Sequence, residues 1–203
     1  MRVVTSLDQY RRDAERRRGG MRRRPTFYFD LASPYTYLAA ERADRMFSGL
    51  EWRPASSDVL QCPPLLDEAE RATITRRAGL LGLPIVWPMG PAEPVVGATR
   101  VASLAGERGL GAAFVLAASR LVFCGGFDID EPEILAEAAA AAGIDLGDML
   151  HAAGDVSRDG PIEDAGRMLL AAGADRLPAL RVGRMLFCGE DRLCEAFAAR
   201  ASA

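Results

Sequence analysis

The residues with the clearest chemical potential lie in the segment FYFDLASPYTYLAA, residues 27–40. A hydrophobic strand pattern stops at Ala32 and Ser33, and a helical pattern starts after Pro34. Serine at the N-cap with proline at the first helical position is a common helix start, worth about 1 kcal/mol. The same helix N-terminus presents free N–H groups and the positive end of the helix dipole, so an anion beside Ser33 would be stabilised. Ser33 is therefore either a cap or the edge of an anion site.

Ser33 is better suited to donate a hydrogen bond than to attack a substrate. A serine hydroxyl becomes a nucleophile only when a general base activates it. The sequence contains no lysine, and its one histidine, His151, lies in a distant helical segment. If Ser33 takes part in chemistry, we expect it to stabilise a thiolate that a ligand supplies.

The four cysteines do not form a recognisable metal or redox site. They stand at positions 62, 124, 188 and 194, and none belongs to a C-x-x-C pair. Local spacing therefore excludes a zinc knuckle and a thioredoxin-type redox couple. Reduced and mostly buried thiols are the expected state.

Composition indicates one soluble domain of ordinary size, or one domain with an insertion. The chain has 203 residues, 49% of them hydrophobic, which is enough for a substantial core. No apolar run approaches the ~20 residues of a membrane helix, and the N-terminus lacks the apolar centre of a secretory signal. We expect a cytoplasmic protein that binds no membrane.

Residues 1–24 form an Arg-rich extension, with nine arginines against three acidic residues. Because the whole chain carries a formal charge of −3, the body beyond this +6 block is acidic, at −9. Basic blocks of this kind occur in nucleic-acid and membrane-surface arms, and also in solvated chain ends. The acidic body favours the solvated extension, and we expect no nucleic-acid partner.

The periodicity of the sequence predicts four strands and a series of helices. A strand at 26–30, a helix from Ser33 to Phe47 and a strand at 50–56 indicate a parallel crossover. The remaining predicted helices are 65–81, 98–124, 131–142, 145–153, 161–173 and 190–201. The remaining predicted strands are 179–183 and 185–188. All the predicted elements between the second and third strands are therefore helical.

This order predicts an α/β class protein with a thioredoxin-like fold and an all-helical insertion after the second strand. The extension covers 1–24, the thioredoxin-like domain 25–62 and 155–203, and the inserted helical domain 63–154. In this topology the turn that holds Ser33 lies at the carboxyl edge of the parallel strands, where ligands normally bind.

Four segments carry a resemblance to a known family. They are the segment around Ser33, GLPIVWP at 82–88, a helix, glycine turn and helix pattern at 114–145, and LPALRVGRMLFCGEDRL at 177–193. Their order and spacing resemble the 2-hydroxychromene-2-carboxylate isomerases and the related kappa-class glutathione transferases of the DsbA-like thioredoxin superfamily. In this resemblance S-P-Y-T, residues 33–36, occupies the place of C-P-x-C, so disulfide exchange by that pair is excluded.

The resemblance implies a glutathione site beside Ser33. It implies a cis Leu177–Pro178 bond, whose neighbouring backbone groups pair with the cysteinyl backbone of the tripeptide. It also implies that Glu190 and Asp191 hold the γ-glutamyl end, where a carboxylate would pair with the ligand's ammonium. Both acids also open the last predicted helix, where they favour the helix dipole without any ligand.

One segment departs from the kappa-class pattern. Gln61 stands in place of the asparagine of an Asn-x-Pro-Pro motif, and we include it among the cofactor-binding residues. Acidic residues follow where the family has a base for the glycyl carboxylate, although Arg71 is close enough to substitute. Glutathione is the expected cofactor, and another low-molecular-weight thiol remains open.

The activity that the resemblance implies is a thiol-dependent isomerisation of a small aromatic or conjugated substrate. Ser33 would stabilise the cofactor thiolate, and Tyr35 and Trp87 would line the substrate pocket. A kappa-like glutathione transferase and a catalytically silent thioredoxin-fold binding protein are the alternatives. Family members commonly form dimers, so we expect a homodimer.

Overall fold

A computed structural model describes residues 24–60, 67–88 and 95–202. Its sheet contains β1 (Thr26–Phe29), β2 (Glu51–Pro54), β3 (Ala179–Val182) and β4 (Met185–Cys188). The strands lie in the order β2-β1-β3-β4. β1 and β2 are parallel, while β3 is antiparallel to both β1 and β4. Each predicted strand is therefore confirmed, and the parallel pair is the one that the sequence predicted.

Helices make up most of the rest of the described chain. α1 (Pro34–Met46) connects the two parallel strands, and α7 (Asp159–Ala171) precedes β3. The others are α2 (Glu68–Leu80), α3 (Val96–Glu107), α4 (Gly111–Phe123), α5 (Pro132–Ala141), α6 (Leu146–Gly154) and α8 (Leu193–Ser202), with short 3-10 turns at Asp58–Leu60, Val156–Arg158 and Glu190–Arg192. The order confirms an α/β thioredoxin-like fold with helices placed after the second strand.

The two faces of β1 belong to two different hydrophobic clusters. Phe27 and Phe29 point to one face, where Phe27 packs against Trp52 with ring centroids 4.8 Å apart. Tyr28 points to the other face and packs with residues of α7, among them Leu169. Successive side chains of a β-strand point to opposite faces of the sheet. Both faces of β1 carry apolar residues because helices cover both faces.

The helical block packs directly onto the sheet. α3 contacts β2, and α4 contacts both β2 and α1. Their buried residues, including Val101 and Phe114, belong to the same hydrophobic cluster as Phe27. The bounds 63–154 for an inserted domain stay a prediction, but its core is continuous with that of the sheet.

One predicted helix is wrong. The segment 98–124 forms two helices, α3 and α4, instead of one, because the chain turns at Gly109 with a φ of 74°. Glycine adopts this left-handed conformation without strain, and such a residue commonly ends a helix. The periodicity of apolar residues is similar on both sides of the turn, so it did not reveal the break.

The glycines on either side of this turn allow both helices to approach β2. A Cβ atom added at Gly106 would lie 2.4 Å from the carbonyl oxygen of Trp52, and one at Gly111 would lie 2.6 Å from the Trp52 Cβ. Residues 106–111 are therefore explained by packing.

We expect Gly106→Ala to lower the free energy of unfolding by about 2–3 kcal/mol, because the added methyl group overlaps backbone that cannot move aside. Gly79→Ala, in α2, is the matched control, since a Cβ there has nothing within 4 Å. The control should leave stability unchanged or raise it by up to about 1 kcal/mol. Urea unfolding of the three proteins measures the difference, and equal midpoints would contradict this account of the helix–strand contact.

The N-terminal prediction lies almost wholly outside the described residues. Of residues 1–24 only Arg24 is described, and its side chain is exposed. Its carbonyl oxygen lies 3.4 Å from the Thr26 hydroxyl at the start of β1. Among the described helices, none is both long and apolar enough to cross a membrane.

Candidate functional site

A cleft of about 870 Å³ opens at the carboxyl ends of β1 and β2. We call it the Ser33 cleft. Four loops line it: residues 32–35 after β1, 55–58 after β2, 175–177 before β3 and 189–191 after β4. One face of α2 and the start of α7 complete its walls. The edge that the topology predicted as the ligand-binding edge is therefore an open cleft.

Ser33 lies at the N-cap of α1, and its hydroxyl is not used by the helix. The residue is half-buried and extended, with φ −86° and ψ 121°, and Pro34 follows as the first helical residue. Its backbone carbonyl accepts a bond from the Thr36 N–H at 3.0 Å, but the side chain makes no capping hydrogen bond. The hydroxyl is thus left for a ligand in the cleft.

The predicted cis-proline turn forms another part of the cleft wall. The Leu177–Pro178 bond is cis, as the resemblance implied. Leu177 is buried and lines the cleft, whereas Pro178 lies behind it and its carbonyl accepts the Gly189 N–H at 2.8 Å. Within the described residues, the backbone N–H and C=O of Leu177 have no hydrogen-bond partner. These are the groups that would pair with an extended ligand.

Asp30 is a cleft residue that sequence reasoning missed. Its carboxylate accepts the Ala32 N–H at 2.9 Å, and its own N–H donates to the Thr36 hydroxyl at 3.3 Å. Burial raises the pKa of Asp30, and the nearby Asp58 raises it further, while hydrogen bonds from Ser57 and Ala32 partly oppose the change. The available signal was an acidic residue that ends a hydrophobic strand three positions before Ser33.

The raised pKa of Asp30 predicts a pH dependence of folding. The unfolded chain releases this proton near the ordinary value of 3.8, whereas the folded protein holds it to higher pH. The free energy of unfolding should therefore fall as pH rises from 3.8 to the native pKa, and stay lower above it. Asp30→Asn should remove this fall. Urea midpoints of both proteins across this range test it, and parallel curves would contradict it.

Tyr35 lines the cleft and Trp87 does not. The Tyr35 hydroxyl donates to the Glu70 carboxylate at 3.0 Å, and burial together with Glu70 raises the pKa of Tyr35 to about 12. Its phenol is therefore neutral, and its single proton is already donated to Glu70. The Trp87 indole donates to Thr75 at 3.2 Å, and the Arg71 guanidinium lies 5.2 Å above its ring. Neither Trp87 nor Arg71 lines the cleft.

Glu190 and Asp191 both line the cleft, but only one carboxylate is exposed to it. Glu190 is 6% exposed and binds Arg42 at 2.9 Å and Arg77 at 2.7 Å. Hydrogen bonding to Glu190 raises the pKa of Arg77. This cluster ties α1 and α2 to the turn after β4. Asp191 is exposed, so it is the better placed of the two to meet a ligand's ammonium.

No described cysteine lines the cleft. Cys124 is half-buried with its sulfur 3.1 Å from the Tyr37 hydroxyl, Cys188 is half-buried, and Cys194 is exposed. Burial raises the pKa of the Cys188 thiol, which makes it less reactive. Gln61 and Cys62 lie outside the described residues. Within the described ranges there is also no cluster of side chains that would hold a metal ion.

Carboxylates dominate the charge of the cleft. Among its described lining residues, eight are acidic and two, Arg77 and Arg176, are basic. Arg77 is already bound to Glu190. A ligand with several carboxylates of its own would therefore find few free cations here. The acids are Asp30, Asp58, Glu70, Asp159, Glu163, Asp175, Glu190 and Asp191.

The sequence matches a known protein family whose fold is the one described above. The DSBA-like thioredoxin domain matches residues 26–196. The chain belongs to the DsbA-like thioredoxin family. A search of curated proteins gave no match.

Three solved structures share this fold. The chain is similar to 2-hydroxychromene-2-carboxylate isomerase, with a TM-score of 0.73 and 21% identity over 88% of this chain and 94% of that one. A probable DsbA oxidoreductase from Streptomyces coelicolor gives 0.65 and 21% over 88% of both chains. The cytosolic disulfide reductase DsbM from Pseudomonas aeruginosa, solved with glutathione, gives 0.61 and 20% over 88% and 96%. Identities this low establish the fold alone.

Proposed function

We propose that the protein is an isomerase of the 2-hydroxychromene-2-carboxylate isomerase type that depends on a low-molecular-weight thiol. The observation that carries this proposal is the free Ser33 hydroxyl at the N-terminus of α1, facing a cleft that also contains the cis Leu177–Pro178 turn. The segment resemblance and the shared fold support the same class. Since Ser33 and Thr36 stand where a redox pair would need cysteines, this motif cannot exchange disulfides.

The N-terminus of α1 is suited to stabilise a thiolate. A helix N-terminus stabilises an adjacent anion by about 0.3–1 kcal/mol, and a hydrogen bond from a hydroxyl to a charged group contributes about 1.5–3 kcal/mol. A free thiol has a pKa of about 8.5, and 1.36 kcal/mol lowers a pKa by about one unit. Ser33 and the helix together would therefore lower the pKa of a bound thiol by at least about one unit.

The remaining cleft residues fit a thiol ligand in specific ways. The unpaired backbone of Leu177 would hold an extended thiol-bearing segment, and Asp191 would bind an ammonium group. The bound thiol would supply a nucleophile that adds reversibly to a conjugated substrate, so that a bond can rotate. Tyr35, whose hydroxyl donates to Glu70, would line the substrate pocket with its ring. Because the cleft is acidic, a thiol with fewer carboxylates than glutathione should bind at least as well as glutathione.

An absorbance assay with a hydroxychromene carboxylate, with and without added thiol, tests the proposal. We expect reversible isomerisation that requires thiol but does not consume it, with glutathione and its diethyl ester compared as probes. Consumption of one thiol per substrate would instead establish a transferase. Absence of turnover, together with no change in unfolding temperature on adding either thiol, would favour a binding protein without catalytic activity.

A further inference from the structure

We propose that Asp30 is the general base that removes the proton from the thiol beside Ser33 and returns it at the end of the cycle. This inference rests on the proposed function. It assigns a catalytic role to a residue three positions before Ser33 that lines the same cleft. Asp30 and Ser33 line the same cleft, and the Ser33 N–H donates to the Asp30 carbonyl at 3.2 Å.

The cleft offers few kinds of proton acceptor. Ser33 donates a hydrogen bond well, but a hydroxyl is too weak a base to take a thiol proton near neutral pH. Of the described lining residues, none is histidine, cysteine or lysine, and the two arginines are permanently charged. The acceptor among them is therefore a carboxylate.

Several carboxylates are excluded because a cation already holds them. Their oxygens already accept charged hydrogen bonds from arginine, so they are less free to meet a thiol. Glu190 binds two arginines. Asp159 receives both a 2.7 Å and a 2.6 Å bond from Arg100, and Glu163 lies 3.1 Å from Arg167.

The remaining carboxylates are less suitable proton acceptors than Asp30, because they are hydrogen-bonded or exposed. Glu70 accepts the Tyr35 hydroxyl at 3.0 Å. Asp58 and Asp191 are exposed to solvent, whereas Asp30 is half-buried. Asp175 is exposed and lies 3.7 Å from its neighbour Arg176. Asp30 alone among these acids shares the short loop between β1 and α1 with Ser33.

The surroundings of Asp30 make it a stronger base than an ordinary carboxylate. The packed walls around it disfavour the charged form, so its pKa is raised toward that of a thiol. The charge of Asp58 acts in the same direction. The other charged groups that face the cleft are Glu70 and Arg77 from α2, Asp159 and Glu163 from α7, and Asp175, Arg176, Glu190 and Asp191 from the loops around β3 and β4.

The proposed step balances without any further reagent. The thiol S–H bond breaks, the proton moves to an Asp30 oxygen, and the sulfur keeps the electron pair, which forms a bond to the substrate. When that bond breaks, the pair returns to sulfur and Asp30 gives back its proton. Ser33 stays neutral throughout and donates its hydrogen bond to the sulfur whenever it is anionic.

The coupling between Asp30 and a sulfur at this position can be measured without substrate. Ser33→Cys introduces a thiol at position 33, and its alkylation by iodoacetamide is followed by mass spectrometry as a function of pH. Because like charges oppose each other's ionisation, adding Asp30→Asn to Ser33→Cys should lower the apparent pKa of the thiol. Alkylation should then be about three- to tenfold faster at pH values below that pKa. Glu163→Gln is the matched control and should change the rate less than about twofold.

The outcomes separate the two proposals. Equal rates with and without Asp30→Asn, or an equal effect of Glu163→Gln, would overturn the assignment of Asp30 even if the native protein is a thiol-dependent isomerase. A clear coupling in a protein that shows no thiol-dependent turnover would support the proton-accepting geometry and overturn the proposed function alone. In an active enzyme, Asp30→Asn should also remove the acidic limb of the kcat/KM profile; an unchanged profile would overturn the assignment.

Discussion

Replacing Ser33 by Ala should lower kcat for thiol-dependent isomerisation about a hundredfold, which is the usual effect of removing one donor to a developing or stabilised anion. The same change should lower the free energy of unfolding by less than about 0.5 kcal/mol. A capping serine would cost about 1 kcal/mol, but the Ser33 hydroxyl makes no capping bond. A large kinetic effect with a small stability effect therefore distinguishes a site residue from a cap.

Ser56→Ala is the matched control for Ser33→Ala. Ser56 is also half-buried and also lines the cleft, but it follows β2 and does not lie at the N-terminus of α1. We expect its kcat to stay within about threefold of the native value, since it faces no thiolate. If Ser33→Ala retains native kcat, or if both variants lose activity equally, Ser33 has no specific role in the chemistry.

Glu190→Gln should lower the free energy of unfolding by about 2 kcal/mol. Removing one partner of a fully buried ion pair costs about 3–5 kcal/mol, and the effect is smaller here because the two arginines remain partly hydrated. The Glu190 side chain is 7% exposed, whereas Arg42 is 22% and Arg77 39% exposed. Asp191→Asn, next to it in the same turn, should change stability by less than about 0.5 kcal/mol. Its exposed carboxylate should instead affect ligand binding, raising KM for an ammonium-bearing thiol about fivefold.

Chemical unfolding and thiol titration of the two variants separate these roles. Loss of stability confined to Glu190→Gln and loss of thiol affinity confined to Asp191→Asn would support the division between a structural and a binding carboxylate. A variant of Glu190 with native stability and weakened thiol binding would show instead that its ion pairs open when a ligand enters.

The strands and most helices could be predicted because their signals are local, whereas the cis-proline followed only from the family resemblance. Alternating apolar residues mark β1, and Ser33 with Pro34 marks the start of α1. The break at Gly109 was missed since the apolar periodicity continues across it. Only the packing of both helices against Trp52 shows why glycines are needed there.

The candidate site was predicted less completely, because its chemistry depends on contacts between distant parts of the chain. Glu190 meets Arg42 and Arg77 across separations of 148 and 113 residues, so the sequence did not show that this carboxylate is already bound. Trp87 was expected in the pocket, but it contacts Arg71 and Thr75 of α2 and does not line the cleft. Asp30 was visible in the sequence, yet its significance comes from burial, which only the folded chain shows.

Titration of the thiolate ultraviolet absorbance of glutathione bound to the native protein and to the Ser33→Ala variant tests the central claim most directly. The account predicts that the native protein lowers the pKa of the bound thiol by at least about one unit relative to free glutathione, and that Ser33→Ala loses most of this shift. Equal pKa values for the bound thiol in both proteins would contradict it.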